Sequence, residues 1–127
     1  MKPNILYIED HTDNMTLVKR IFRQDSYNLI EARNGQQGLS IAENHDIDLV
    51  LLDIDLPDID GYEVARRLRA NSNTKLAHTP IVAVTANAMK GEEQKVREAG
   101  CDDYISKPIN IMALLDKVDT LIAKKLR

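Results

Sequence analysis

The sequence has few of the residues that mark several large classes of protein. It contains no tryptophan and one cysteine, Cys101, among 127 residues. A single cysteine excludes an internal disulfide and is typical of a protein from the reducing cytoplasm. No apolar run approaches the length of a membrane span, and the apolar stretch near the N-terminus is too short for a signal peptide. We therefore expect a cytoplasmic protein that has no membrane partner.

The chain also lacks an excess of positive charge. Its 17 Lys and Arg residues stand against 20 Asp and Glu residues, which gives a net charge of −3. Non-specific nucleic-acid binding requires a basic surface, so we expect no nucleic-acid partner. Arg66, Arg67 and Arg69 are accordingly predicted to form the outer face of a helix. The length fits a single domain over residues 1–127 and leaves no room for an output domain.

Short apolar runs alternate with longer amphipathic segments along the chain. The apolar runs predict strands near residues 5–8, 27–32, 49–52, 80–84 and 104–106. The amphipathic segments predict helices near residues 12–24, 36–43, 62–70, 90–99 and 111–122. The third run is apolar at every position, which indicates a strand buried on both faces. The alternation therefore predicts an α/β fold, a doubly wound parallel five-stranded sheet of five βα units.

Polar residues stand at the ends of four of the predicted strands. Glu9 and Asp10 follow the first strand, Asp53 the third, Thr85 the fourth and Lys107 the fifth. The carboxyl ends of parallel strands lie along one edge, which is where open α/β sheets bind ligands. We therefore expect these side chains to meet in one cleft.

The residue types in this cleft indicate a particular chemistry. Neighbouring carboxylates repel each other unless a cation lies between them. Oxygen ligands favour a hard ion, and a shallow site with few protein ligands suits Mg²⁺. Lys107 would add a second positive charge and Thr85 a hydroxyl group. Together these groups predict phosphoryl transfer to a carboxylate, with Asp53 as the nucleophile.

Over nearly its full length the sequence resembles response-regulator receiver domains, the CheY-like family. The resemblance is carried by Glu9-Asp10, the segment DIDLPDIDG from Asp53 to Gly61, Thr85-Ala86 and Lys107-Pro108. Residues 85–109 are most similar to single-domain regulators and to the receivers of hybrid kinases. The resemblance implies a flavodoxin-like (βα)5 fold with the strand order 2-1-3-4-5, and a role as a phosphorylated switch in a two-component system or phosphorelay.

The resemblance also implies a phosphoacceptor and a metal site. Asp53 would accept a phosphoryl group from a phosphohistidine on a histidine kinase or a histidine phosphotransfer protein. Asp10 and Asp53 would bind Mg²⁺ directly, Glu9 would act through water, and the backbone carbonyl of Asp55 would be a further ligand. Mn²⁺ would substitute for Mg²⁺. Such a protein is not a turnover enzyme, although it catalyses its own phosphorylation and dephosphorylation.

Further roles follow from the resemblance for residues around the acceptor. Lys107 would pair with the acceptor carboxylate at rest, and the Lys107–Pro108 peptide bond would be cis. Thr85 would move toward the phosphoryl oxygens, and Tyr104 would move into the space that Thr85 leaves. Ala86 would leave room for this movement.

Two more positions are implied to set the phosphoryl lifetime, Asp55 and Asn87. The fourth predicted helix, the fifth strand and the final helix would present a changed surface to a downstream protein, which the sequence does not identify. We expect a monomer or weak dimer.

Other functions share parts of this pattern. A receiver excised from a hybrid kinase would have the same residues. A phosphatase of the haloacid-dehalogenase type also uses an Asp-x-Asp pair, which Asp53 and Asp55 would supply, but Pro57 stands where that pattern requires Thr or Val. An FMN carrier would need a phosphate-binding loop after the first strand, where this chain has carboxylates. The histidines, His11, His45 and His78, show no metal-ligand spacing and are predicted to be exposed, whereas Cys101 is predicted to be buried.

Overall fold

Five parallel strands form the centre of the computed structural model, which describes residues 2–23, 27–86 and 91–125. The strands are β1 (Asn4–Ile8), β2 (Asn28–Ala32), β3 (Leu49–Asp53), β4 (Ile81–Thr85) and β5 (Asp103–Ser106). They lie in the order β2-β1-β3-β4-β5, and each neighbouring pair is parallel. The α/β class and the strand order that the resemblance implied are therefore confirmed.

Helices connect the strands and cover the sheet. Those in the described part of the chain are α1 (Thr12–Arg23), α2 (Gly35–Asn44), α3 (Gly61–Arg69), α4 (Thr74–Ala77), α5 (Glu92–Glu98) and α6 (Ile111–Lys125). The single turn of α4 was not predicted from the sequence. It is capped by Asn73, whose side chain accepts a hydrogen bond from the Leu76 N–H, and Leu76 is its buried residue. One buried side chain gives no periodic pattern, so the sequence carries little sign of this helix.

The strands β3 and β4 are buried along their whole length, whereas the edge strands are not. All five residues of β3 and all five of β4 are buried. The edge strands β2 and β5 expose part of their surface. The unbroken apolar run that ends at Asp53 thus corresponds to a strand covered on both faces, as predicted.

Each face of the sheet has its own apolar core. On one face α1 and α6 pack against side chains from the strands, with Met15, Val18, Leu114 and Val118 among the buried helix residues. On the other face the buried helix residues come from α2, α3, α4 and α5. Burial of each large aliphatic side chain stabilises the fold by about 1.5–3 kcal/mol. The two cores fix the strands so that their carboxyl ends lie side by side.

Arg69 corrects one sequence-based prediction. Arg66 and Arg67 are exposed, as expected for an outer helix face, but Arg69 is partly buried at the end of α3. Its Nε donates to the backbone carbonyl of Gly100 at 2.8 Å, and one terminal nitrogen donates to the carbonyl of Thr79 at 2.6 Å. The prediction was wrong for this residue because its partners are backbone carbonyls, which any sequence provides. Arg69 is a structural tie between α3 and the segments that flank β4 and α5.

The three histidines and the cysteine lie where the sequence predicted them. His11, His45 and His78 are exposed. Cys101 is buried, and burial raises the pKa of its thiol to about 12. Among the described residues, none of the helices combines the length and the apolar character that a bilayer crossing requires.

Candidate functional site

Asp53 lies at the carboxyl end of the central strand β3 and is completely buried. Lys107 Nζ donates to both of its carboxylate oxygens, at 3.0 Å and 3.1 Å. The backbone N–H of Asp55 donates to Oδ1 at 2.9 Å. A buried carboxylate requires such donors, since an unpaired charge away from water is strongly unfavourable. The carboxylate is therefore held in one orientation at the edge of the sheet.

Two further carboxylates lie beside Asp53. One oxygen from each of Glu9, Asp10 and Asp53 lies within 4.8 Å of the other two. Glu9 is buried and Asp10 is exposed. The sequence predicted that strand ends would bring these three residues together, and the structure places them so. The cluster is open to solvent on the side of Asp10.

Three polar groups surround the Glu9 carboxylate. The Tyr7 hydroxyl donates to Oε1 at 2.8 Å, and Asn14 Nδ2 donates to the same oxygen at 3.3 Å. The backbone N–H of His11 donates to Oε2 at 3.3 Å. Burial, followed by the hydrogen bond and the charge of Asp53, raises the pKa of Glu9 to about 7. In the absence of a cation, this environment therefore favours the neutral form of the carboxyl group more than water does.

Tyr7 was not predicted to take part in the site. Its side chain is completely buried in the core beneath Glu9. Burial and the charge of Glu9 raise the pKa of Tyr7 far above its usual range, so the phenol stays neutral and remains a donor. In the sequence Tyr7 is one member of an apolar strand, and nothing in its spacing distinguishes a core tyrosine from one that supports a carboxylate.

The donor set of this cluster fits a divalent cation. Carboxylate oxygens are hard ligands, and Mg²⁺ is held in proteins by one or two carboxylates together with water and phosphate oxygens. The open side at Asp10 leaves room for those further ligands. Glu9, Asp10 and Asp53 are the residues that would hold the ion.

Lys107 is the positive charge that the structure places in this cluster. Burial lowers the pKa of its ammonium group, but the hydrogen bonds and charge of Asp53, and the charges of Glu9 and Asp55, outweigh burial and raise it. Its Nζ also lies 3.9 Å from an oxygen of Asp55, a mostly exposed side chain. The peptide bond between Lys107 and Pro108 is cis, as the resemblance implied. Lys107 is therefore charged at neutral pH and bound to Asp53.

Thr85 is the last residue of β4, the strand that pairs with β3, and it is buried. Its hydroxyl lies 3.4 Å from Oε1 of Glu92, a buried residue at the start of α5. The Tyr62 hydroxyl donates to the same oxygen. Burial, followed by the hydrogen bond and charge of Glu92, raises the pKa of Tyr62, so this phenol also stays neutral. Sequence reasoning missed both Glu92 and Tyr62.

Two of the other residues that the resemblance singled out, Ala86 and Tyr104, lie in the described part of the chain. Ala86 follows Thr85 and is exposed. Tyr104 is partly buried and packs against the core on the side of the sheet that carries α2, α3 and α5. Asn87 lies outside the described residues. The structure thus brings Tyr104 to the neighbourhood of β4, since Tyr104 is paired with Ala83 in the sheet register.

The loop after Asp53 is positioned by the Asp58 carboxylate within it and by Gly61 at its end. Asp58 accepts hydrogen bonds from the N–H groups of Gly35 and Gln36, at 2.8 Å and 2.9 Å, and so ties the loop to the start of α2. At Gly61 a Cβ atom would lie 2.5 Å from Ile54 Cα and 2.7 Å from the Asp53 carbonyl oxygen. Glycine at this position therefore allows α3 to begin directly against the end of β3.

Comparison with known proteins identifies the class to which this arrangement belongs. The family model described as the response regulator receiver domain matches residues 5–119. The chain therefore belongs to the response regulator receiver domains of two-component systems. The predicted family, fold class and signalling role are confirmed.

Individual relatives agree with this assignment. The chain is 38% identical over 122 residues to the polar-differentiation response regulator DivK of Brucella anthropi, a match that covers 96% of this chain and 98% of that protein. The receiver domain of a sensor histidine kinase from Pseudomonas aeruginosa PAO1 has a TM-score of 0.87 and is 32% identical, over 97% of this chain and 99% of that chain. That receiver was solved with a magnesium ion coordinated in its active-site cleft.

A third relative was solved as part of a complex. The co-crystal structure of the Saccharomyces cerevisiae phosphotransfer protein Ypd1 and the receiver domain of Ssk1 matches with a TM-score of 0.91 and 28% identity, over 98% of this chain and 91% of that chain. Receivers of kinases and of free-standing regulators are thus both similar to this chain.

Proposed function

We propose that Asp53 is the phosphoacceptor of this receiver domain. The observation that carries the proposal is the buried Asp53 carboxylate bound by Lys107 inside a cluster of acidic residues. An oxygen of Asp53 attacks the phosphorus atom of a phosphohistidine, the P–N bond breaks, and the electron pair of that bond returns to the imidazole nitrogen. The product is an aspartyl phosphate.

The side chains around Asp53 have separate tasks in this transfer. Lys107 is already hydrogen-bonded to both acceptor oxygens, so its charge lies where negative charge of the phosphoryl group gathers. Asp10, Asp53 and the backbone carbonyl of Asp55 would hold a divalent ion directly, and Glu9 would act on it through water. Mg²⁺, or Mn²⁺ in its place, supplies positive charge that offsets the charge on the phosphoryl oxygens.

The receiver exchanges signals with two kinds of protein, one that donates the phosphoryl group and one that binds the changed surface. A histidine kinase or a histidine phosphotransfer protein supplies the phosphoryl group, in support of which the Ssk1 receiver was crystallised with Ypd1. Thr85 then turns to the phosphoryl oxygens and Tyr104 follows it, which changes the surface formed by α5, β5 and α6. A downstream protein reads that surface.

We further propose a single-domain organisation and a cytoplasmic location for this protein. A single receiver domain spans residues 1–127, works in the cytoplasm as a monomer or weak dimer, and transmits its signal by protein contacts. It is a switch that carries one phosphoryl group per chain, not a turnover enzyme. Asn87 and Asp55 set how long the phosphoryl group remains.

Intact-mass measurement tests the acceptor directly. The protein is incubated with Mg²⁺ and acetyl phosphate, and we expect one phosphoryl adduct on the wild type. Asp53→Asn is expected to abolish the adduct, whereas Asp55→Asn, which changes the exposed acid two residues away, is expected to keep it. An adduct on Asp53→Asn, or none on the wild type, would contradict the proposal.

A further inference from the structure

One buried carboxylate, that of Glu92, lies outside the acidic cluster but touches the switch residue Thr85. Glu92 is the first residue of α5, and 7% of its surface is exposed. Its Oε1 is shared by two hydroxyl groups, that of Thr85 at 3.4 Å and that of Tyr62. The three residues come from β4, α5 and α3.

Hydrogen bonding to Glu92 and phosphoryl binding make opposing demands on Thr85. A threonine hydroxyl has one proton and can donate one hydrogen bond at a time. A buried carboxylate is a strong acceptor, since a hydrogen bond to a charged group is about twice as strong as one between neutral groups. The hydroxyl of Thr85 therefore cannot serve Glu92 and an oxygen of a phosphoryl group together.

We propose that Glu92 is a positioning residue that holds the Thr85 hydroxyl in the resting state and competes with the phosphoryl group for it. The inference rests on the proposed function of Asp53. The strength of this hold sets how readily phosphorylation moves the protein to its active state, because a two-state equilibrium responds to differences in binding between the states.

Tyr62 makes the exchange possible. When Thr85 leaves, the Tyr62 hydroxyl still donates to Glu92 Oε1, so the buried carboxylate keeps a partner. If Tyr62 were absent and Thr85 moved away, this oxygen would lose both of the donors described here. Leaving a buried carboxylate oxygen without a donor costs considerable free energy. Tyr62 thus lowers the barrier to release, whereas Glu92 raises it.

The same contacts connect the acceptor site to the output surface. Thr85 belongs to the strand next to Asp53, and Glu92 begins α5, one of the three elements of that surface. Release of Thr85 removes one tie between the end of β4 and the start of α5. The change at the site is in this way passed to α5.

Beryllium trifluoride occupies the place of a phosphoryl group on a carboxylate. Its binding affinity therefore reports how strongly Glu92 retains the Thr85 hydroxyl. Affinity is determined by calorimetric titration in excess Mg²⁺. We expect Glu92→Gln, which keeps the shape but weakens the acceptor, to bind about fivefold tighter than wild type. The matched control is Glu93→Gln, a change at the next residue, an exposed glutamate whose carboxylate pairs with Arg97. It is expected to bind as wild type does.

Two more variants separate positioning from general stability. Tyr62→Phe is expected to weaken binding, because Glu92 then depends more on Thr85. In a Thr85→Val background, Glu92→Gln is expected to have no effect, since the hydroxyl in question is gone. A merely structural role of Glu92 would persist in that background. The inference is overturned if Glu92→Gln leaves the affinity unchanged or lowers it, or if its gain survives Thr85→Val.

Failure of this inference is distinguishable from failure of the proposed function. If acetyl phosphate gives an Asp53-dependent adduct in every variant but Glu92→Gln has no effect on affinity, Glu92 alone has been misassigned. If wild type forms no adduct and binds no beryllium trifluoride, the assignment of Asp53 fails first. Thermal unfolding of each variant confirms that the compared proteins are folded.

Discussion

At the scale of single residues, Glu9 shows how the core supports the acidic edge. Its carboxylate is buried next to Asp53, which favours the neutral form. The Tyr7 hydroxyl and Asn14 amide donate to it, and donors of this kind favour the charged form. The charged form is the one that attracts a metal ion. Tyr7 therefore belongs to the function of the site although it lies in the core.

The change Tyr7→Phe tests this role with little loss of packing. It removes one hydrogen bond to a charged group, so we expect Mg²⁺ affinity to fall by about tenfold. Calorimetric titration with Mg²⁺ measures the effect without any phosphodonor. Tyr27→Phe, a change in another core tyrosine that contacts α6 rather than Glu9, is the matched control. Equal Mg²⁺ affinity in Tyr7→Phe and wild type would show that Tyr7 is only a core residue.

Asp55 is expected to act on the phosphoryl lifetime. Its exposed carboxylate lies two residues from the acceptor and 3.9 Å from Lys107, and we expect water to approach the phosphoryl group from this side. Because its negative charge disfavours attack there, Asp55→Asn should speed loss of the phosphoryl group by a few fold. The decay of purified phosphoprotein in a single turnover gives the rate. Decay at the wild-type rate would remove this role.

At the scale of elements, most strands and helices could be predicted because each has a clear period or apolar run. Residues 49–52 were predicted as a strand, and the structure has β3 at Leu49–Asp53. The helix that was predicted near residues 90–99 ends before Gly100, which follows α5 with a φ of +102°. The one-turn helix α4 could not be predicted because it buries a single side chain.

Arg69 was also out of reach of sequence patterns, and its contacts predict a large effect on stability. Besides the carbonyls of Gly100 and Thr79, its guanidinium bonds Asp102 at 2.8 Å, and Asp102 also accepts from the Ile81 N–H. These contacts join α3 to the segments before β4 and β5. Their partners are brought together by the tertiary fold and are not encoded by local spacing.

We expect Arg69→Met to lower the free energy of unfolding by about 2–3 kcal/mol, since it removes the guanidinium donor of several backbone carbonyls and one of the two donors to the Asp102 carboxylate. Arg66→Met, on the same helix but exposed, is expected to stay within about 0.5 kcal/mol of wild type. Urea unfolding followed by circular dichroism gives both values. Equal stability of the two variants would contradict the structural role of Arg69.

At the scale of the whole molecule, the acidic edge lowers stability in the absence of metal. The pKa of Glu9 is raised from 4.5 to about 7 in the folded protein. The folded state therefore favours protonated Glu9. This contribution to stability is fully present below pH 4.5 and is lost as the pH rises through about 7. The charged acidic cluster therefore lowers the free energy of unfolding of the metal-free protein.

A pH series checks this directly. In the presence of EDTA, Glu9→Gln is expected to match wild type near pH 4.5 and to exceed its free energy of unfolding by about 2–3 kcal/mol at pH 8. Mg²⁺ should stabilise wild type more than Glu9→Gln, so the difference in free energy of unfolding between the two proteins should become smaller when Mg²⁺ is present. A gap that stays constant with pH would contradict the raised pKa of Glu9.

The acceptor site could largely be predicted because its members stand at strand ends, where the parallel sheet collects them. Glu9, Asp10, Asp53 and Lys107 are of this kind. Glu92 and Tyr62 are not, since they lie within helices and are 30 residues apart in the chain. Their meeting depends on how α3 and α5 pack over the same face, which short-range patterns do not determine.

The order of the strands along the chain also determines the order in which the charged residues of the site are synthesised. Lys107 follows Asp53 by 54 residues, so a ribosome completes all three carboxylates well before this lysine. A nascent chain whose β3 segment has just left the ribosome therefore carries Glu9, Asp10 and Asp53 without Lys107 to neutralise them. At that stage of synthesis, we expect divalent cations of the surrounding solution to reduce the repulsion among these carboxylates.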